Sequence, residues 1–255
     1  MVKDILLIAQ ARMGSTRLPG KTLKMMGNLP VLGHLIARLK KSANMPRIKF
    51  IIATSHLPID TPIEEYCLKN DVECFRGDPL NVLSRFYDIQ QNAPEANMII
   101  RTTADCPLID PQIMDKMIEK FEQNPEWEFL CNTHCKYGKG YPSGFDIEIA
   151  SKKCFEKLCD EVFELPDADI LKKRYTEHVM VYIRDNHHHF SYHEIYPELL
   201  ENDKADADAD DNTKKEKNLS VDTIDDFNLI NIIISSGPMV SYDEITKFIK
   251  NYNGN

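Results

Sequence analysis

The sequence predicts an α/β protein whose mostly parallel sheet is covered by helices on both faces. From the start to about residue 134, short runs rich in Ile, Val, Leu and Phe alternate with segments whose apolar residues recur at helical spacing. The runs are continuously apolar, as strands buried on both faces must be. Several helical segments also open on an aspartate followed closely by proline, which is helix-start punctuation.

In chain order, DILLIAQ is the first strand, the loop ARMGSTRLPGKTL follows it, and PVLGHLIARLKK is the first helix. KFIIATS, VECFRG, MIIRTTAD and EFLCNTH are the next strands. The helices DTPIEEYCLKN, DPLNVLSRFYDIQQN and DPQIMDKMIEKFEQN lie between them, with Asp60, Asp78 and Asp110 as N-caps and Pro62, Pro79 and Pro111 near the first helical position. Residues 135–148 form a long Gly- and Tyr-containing loop that enters a strand at Phe145 to Ile149, and a helix starts at Ser151. HVMVYIRD and HHHFSYHEIY are expected as two antiparallel strands, with His187, His188 and His189 on an exposed or edge segment. The stretch 201–217, highly charged and low in apolar content, is expected as an exposed loop or disordered insertion; its acidic repeat lacks the glycine and terminal glutamate of a calcium loop. NLSVDT then supplies a last strand, TIDDFNLINIIISSG a helix, and Asp243 to Tyr252 a short terminal helix.

Composition narrows the function. At 255 residues the chain suits one large domain. A net charge of −9 argues against a broad nucleic-acid surface, so a polyanionic ligand must be met locally. No segment approaches the roughly 18 uninterrupted apolar residues of a membrane span, and the expectation is a cytoplasmic protein. Seven cysteines suit reduced, buried thiols better than a disulfide framework. Cys131 and Cys135 flank His134, but the spacing is not that of a zinc finger and ordinary packing is the preferred reading.

ARMGSTRLPGKTL invites comparison with a Walker phosphate loop, yet Gly14 and Gly20 enclose five residues, one more than that loop allows. Pro19 removes a backbone donor from the loop. Arg12, Arg17 and Lys21 with Ser15 and Thr16 can instead clamp phosphates through side chains, the alternative being a solvated basic turn. Asp105 and Asp222 each follow an apolar strand and can hold magnesium, although turns and helix caps also favour aspartate there.

ARMGSTRLPGKTL, FRGDPLNVLSRFY, RTTADCPLID, PSGFDIEIAS, RYTEHV and SVDTIDDF together resemble, in order and over nearly the whole chain, the spore-coat polysaccharide biosynthesis protein F family. These are cytidylyltransferase-like relatives of the CMP-sugar-acid synthetases. The resemblance implies a three-layer α/β/α nucleotide-diphospho-sugar transferase fold and a single domain over 1–255. It also implies a small β-containing acceptor and dimerisation subdomain at about 135–200, and hence a homodimer. It implies CTP as donor and an acidic sugar, or a related acidic or phosphorylated molecule, as acceptor, with Mg2+ as cofactor. By the same matching, Arg12, Ser15, Arg17 and Lys21 bind the CTP phosphates, with Gly14 in their loop, and the backbone at Ala9 to Ala11 faces the base. Arg76 and Gly77 lie near the cytidine, and Asp105 and Asp222 hold the metal. Arg12, Lys21, Asp105 and Asp222 form the catalytic set, and Asp146, Glu148, Glu177 and His178 surround the acceptor. Thr22 departs from the pattern, standing where sugar-acid synthetases commonly have asparagine.

Overall fold

The computed structural model describes residues 3–137, 140–197, 218–237 and 241–252. Its strands are β1 (Ile5–Gln10), β2 (Met25–Met26), β3 (Leu29–Pro30), β4 (Ile48–Ser55), β5 (Glu73–Gly77), β6 (Met98–Thr103), β7 (Phe129–Cys131), β8 (Glu148–Ser151) and β9 (Tyr192–Glu194). Seven of them form one sheet in the order β5-β4-β1-β6-β8-β7-β9, and β2 and β3 make a small antiparallel ribbon. The pairs β5/β4, β4/β1 and β1/β6 are parallel, whereas β8 runs antiparallel to both β6 and β7.

The helices are α1 (Val31–Leu39), α2 (Thr61–Lys69), α3 (Val82–Gln91), α4 (Pro111–Gln123), α5 (Lys152–Glu164), α6 (Ile170–Glu177), α7 (Val181–Asp185), α8 (Ile224–Ser236) and α9 (Tyr242–Tyr252). Alternation along β1 divides the interior into two cores, because successive strand side chains point to opposite faces. Ile5, Leu7 and Ala9 pack with Leu35 of α1, Ile63 of α2, Met114 of α4, Ile230 of α8 and Ile245 of α9. Leu6 and Ile8 pack with Phe86 of α3, Phe155 of α5, Tyr175 of α6 and Ile183 of α7. The result is helix, sheet, helix.

Several local expectations change. HVMVYIRD is not a strand: Val179 and Met180 are buried in a turn and Val181–Asp185 forms α7 with Ile183 buried, so tertiary burial overrules the strand preference of its β-branched and aromatic residues. His187–His189 is a 3-10 turn rather than a strand, and β9 pairs parallel to β7. NLSVDT adds no strand; within it Leu219 N–H donates to Ser143 O and Val221 N–H to Asp105 O, both at 2.8 Å. The strand expected from Phe145 begins only at Glu148, after Gly144 turns the chain at φ +111°. Asp110 caps α4 through Gln112 N–H, but Asn81 rather than Asp78 caps α3, and Asp60 makes no cap bond to α2. Residues 201–217 lie outside the described residues. Strands β8 and β9, from the segment expected as a subdomain, join the main sheet.

Candidate active site

The chain winds from β1 to β4 and β5 on one side, then returns to place β6 on the other side of β1. This reversal opens a crevice beyond the carboxyl ends of β1 and β6, where ligands bind in such sheets. A cleft of about 260 Å³ lies there, lined by Gln10, Ala11 and Arg12 after β1, by Thr103, Ala104 and Asp105 after β6, and by Ser15, Thr16, Arg17 and Lys21 of the loop.

The loop spends much of its backbone on itself. Met13 O accepts from the amides of Ser15 and Gly20, at 2.9 and 3.1 Å, and the Lys21 amide goes to Leu18 O. Gly20 takes φ +70°, where a Cβ would be strained. Asp60 anchors the loop from outside: its Oδ1 accepts Met13 N–H at 2.7 Å, and Ser55 donates to its other oxygen. The Thr22 hydroxyl donates to Arg12 O at 2.7 Å. The side chains of Arg12, Arg17 and Lys21 line the cleft together with Ser15 and Thr16.

Lys21 joins residues far apart in sequence. Its ammonium lies 2.7 Å from Asp105 Oδ2, 3.0 Å from Asp222 Oδ1 and 2.6 Å from Val221 O. Its side chain is 12% exposed. Burial works against the charge, but the two carboxylates outweigh it and raise the Lys21 pKa. Arg17 approaches Asp222 at 2.9 Å, and Arg12 lies 3.9 Å from Glu177, both guanidinium groups being well exposed. Two carboxylate oxygens thus converge on one positive charge at the cleft wall.

The remaining expected residues divide. Glu177 and His178 line the cleft, and burial lowers the His178 pKa against the opposing charge of Glu177. Ala9 is buried in β1 and Gly14 has open space around its Cα. Arg76 does not line the cleft: its guanidinium reaches Ser55 O, Leu57 O, Thr61 and Glu64 and so ties β5 to the start of α2. Asp146 and Glu148 also stand behind the wall rather than in it. Asp146 accepts from Gly144 N–H and the Thr133 hydroxyl, with His134 3.2 Å away. Burial alone would raise its pKa, but His134, Gly144 and Thr133 hold it at about 2. His134 is the first of these causes, although it is exposed and partly screened by solvent, and the buried Gly144 amide and Thr133 hydroxyl add to it. Glu148 pairs in register with Arg101 and also faces Arg184; burial opposes its charge, and the two guanidinium groups keep its pKa low. Arg101 in turn holds Gln10, which does line the cleft.

Gly77, expected near the cytidine, is not among the residues lining the cleft, and Arg85, which does line it, was missed by the sequence reading. Arg85 lines the cleft from α3, and Gly77 packs directly on its side chain. The signal was present: Arg85 shares a helix face with the apolar Val82, Phe86 and Ile89, an unusual place for a cation. All seven cysteines are free. The thiols of Cys131 and Cys135 lie with a Glu194 oxygen within 4.8 Å of one another, while His134 turns away to Asp146. Glu194 already accepts from the amides of Lys136 and Tyr137 and the hydroxyls of Tyr192 and Tyr196, which leaves its oxygens saturated.

Comparison with known proteins agrees with this geometry. Residues 6–232 match the family model described as cytidylyltransferase. The chain is 35% identical over 188 residues to the spore coat polysaccharide biosynthesis protein SpsF of Bacillus subtilis strain 168, covering 72% of each chain. It superposes with a TM-score of 0.80 on the structure of a cytidylyltransferase from Leptospira borgpetersenii serovar Hardjo-bovis, at 31% identity, over 100% of this chain and 96% of the other. It shares the fold of a CMP:2-keto-3-deoxy-manno-octonic acid synthetase solved in complex with CTP, with a TM-score of 0.60 at 15% identity, over 91% of this chain and 98% of the other. The chain belongs to the cytidylyltransferase family.

Proposed function

We propose that the protein transfers CMP from CTP to an acidic sugar, or a related acidic or phosphorylated acceptor, and releases pyrophosphate. The observation that carries this reading is Lys21 held between Asp105 and Asp222 at the mouth of the cleft, with Arg12 and Arg17 beside it. An acceptor hydroxyl oxygen forms a bond to the α-phosphorus while the bond from phosphorus to the bridging oxygen breaks. Pyrophosphate leaves with that electron pair and the hydroxyl proton passes to solvent. Arg12, Arg17 and Lys21 bind the β- and γ-phosphates and stabilise the charge that builds on the leaving group. Ala11 and the end of β1 position the nucleoside, and Glu177 and His178 face the acceptor.

The donor set suits magnesium: Asp105 and Asp222 offer hard oxygens that already gather around a cation, the ammonium of Lys21, and Mg2+ prefers one or two carboxylates with phosphate oxygens and water. When bound, the ion would draw charge from the α-phosphate and orient the reacting groups. Lys21 would then shift its contact from carboxylate to phosphate. The reading extends to a cytoplasmic homodimer serving surface polysaccharide or glycan synthesis, in line with the name of the SpsF relative.

A pyrophosphate-release screen tests it. CTP, UTP, GTP and ATP are each offered with Mg2+ and a panel of sugar acids, including 2-keto-3-deoxy-manno-octonic acid, and phosphorylated small molecules. Pyrophosphate release with CTP and an acidic acceptor is expected. Release with another nucleotide in preference to CTP would overturn the donor assignment, and none with any pair would overturn the transfer reaction.

A further inference from the structure

Arg85 plays no part in the chemistry above, yet it is a cation in the cleft that the fold leaves without direct compensation. It is 3% exposed, and its Nε and Nη1 are shut off from solvent with no hydrogen-bond partner among the described residues. The other cleft cations differ. Lys21 has two carboxylates, Arg17 has Asp222, and Arg12 faces Glu177. The carboxylates that act on Arg85 through space are Asp60 and Asp78. Asp60 is already engaged by Met13 N–H and the Ser55 hydroxyl, and Asp78 by the amides of Leu80 and Asn81. Arg12 adds a like charge nearby. A buried guanidinium with open donors has lost its hydration without replacement, which is unfavourable until an anion arrives.

The fold also makes room for this side chain. A Cβ on Gly77 would lie 2.7 Å from Arg85 Cγ, so any other residue there would push the arginine aside. Asn81 caps α3 through Ser84 N–H, and Val82 in the first turn lines the cleft, so the positive end of the helix faces the same space.

We propose that Arg85 and the N-terminal end of α3 form a second anion-binding point in the cleft, which takes a phosphoryl oxygen of the nucleotide. The proposal rests on the nucleotide reading above. A phosphoryl group is favoured over an acceptor carboxylate because Arg85 neighbours Arg12 and Asp60, the residue that anchors the signature loop.

The test is titration of the full chain with CTP and Mg2+, without acceptor, by calorimetry, together with thermal unfolding of each ligand-free protein. Arg85→Met should bind CTP about 10- to 100-fold more weakly, while its ligand-free Tm stays at or above that of wild type, because the open donors are gone. Arg85→Lys should fall between the two in affinity. Gly77→Ala should also weaken CTP binding without removing a charge. Affinity of Arg85→Met within about twofold of wild type would overturn the proposal and leave the nucleotide reading intact. A ligand-free Tm several degrees below wild type would overturn it too, marking Arg85 as a structural cation. If the wild type itself binds no CTP, the nucleotide reading fails and this proposal with it.

Discussion

Replacing Lys21 by alanine perturbs two things at once, and the structure separates them. In the ligand-free protein the ammonium neutralises Asp105 and Asp222, whose side chains are 26% and 23% exposed. Its removal takes the shared cation from both carboxylates and leaves Arg17 and the Asn218 amide beside Asp222. Partial exposure screens the two charges, so the cost is about 1–2 kcal/mol rather than the larger penalty of a fully buried charge. For a chain of this size that is a fall in Tm of roughly 2–8 °C. In the nucleotide complex the loss is a charge-assisted contact to phosphate, worth about 1.5–3 kcal/mol or roughly 10- to 150-fold in Kd. A third consequence follows from shared geometry: Lys21 and a divalent ion compete for the same oxygens, so Mn2+ alone should raise the Tm of Lys21→Ala more than that of wild type. Thermal unfolding with and without Mn2+, and calorimetric titration with CTP, read all three. Unchanged CTP affinity and an unchanged response to Mn2+ would refute the reasoning.

Asp105→Asn keeps the shape of the wall but removes the charge, so turnover should fall by about 100-fold or more with CTP binding changed only a few-fold, as single-turnover kinetics would resolve; equal turnover at saturating Mg2+ would sink the assignment. Gly144→Ala should destabilise by about 2 kcal/mol or more, because φ is +111° and the Cβ would fall 2.4 Å from the Leu219 carbonyl; urea denaturation within 0.5 kcal/mol of wild type would contradict this. Asp146 has a folded pKa of about 2, below its value of about 3.9 in the unfolded chain. The stability it contributes, about 2 kcal/mol, is therefore complete above about pH 4 and disappears as the pH falls towards 2. The difference in unfolding free energy between wild type and Asp146→Asn should shrink between about pH 4 and about pH 2, and a constant difference over that range would exclude this linkage.

The centre of the sheet was legible because β1, β4 and β6 are largely buried on both faces and so carry apolar runs such as ILLIAQ and KFIIATS. What was not legible depended on tertiary burial. Val179, Met180 and Ile183 read as part of a strand, yet the first two are buried in the turn before α7 and the third within it, and only the core against α5 decides between the two. NLSVDT likewise has the apolar content of a strand, yet its partners are single carbonyls of Ser143 and Asp105. At the site, Asp105 stood out because charge just beyond the carboxyl end of a strand faces the ligand edge of the sheet, Lys21 because it belongs to the basic loop after β1, and Asp222 although the strand expected before it does not form. Arg76 carried the same signal and is instead consumed by Glu64 and three backbone or hydroxyl oxygens. Arg85 was missed although it stands among the apolar positions of α3, since that pattern marks burial and does not report that a guanidinium lacks partners.

The central claim is that the loop cations and the two remote carboxylates surround one nucleotide phosphate chain and its divalent ion. A crystal structure of the protein with CTP and Mn2+ tests this most directly, because the anomalous signal of manganese locates the ion independently of the protein. The account predicts one manganese bonded to oxygens of both Asp105 and Asp222 and to a phosphate oxygen, with Lys21 and Arg17 on the β- and γ-phosphates. Manganese away from these two carboxylates, or phosphates out of reach of Lys21 and Arg17, would contradict it.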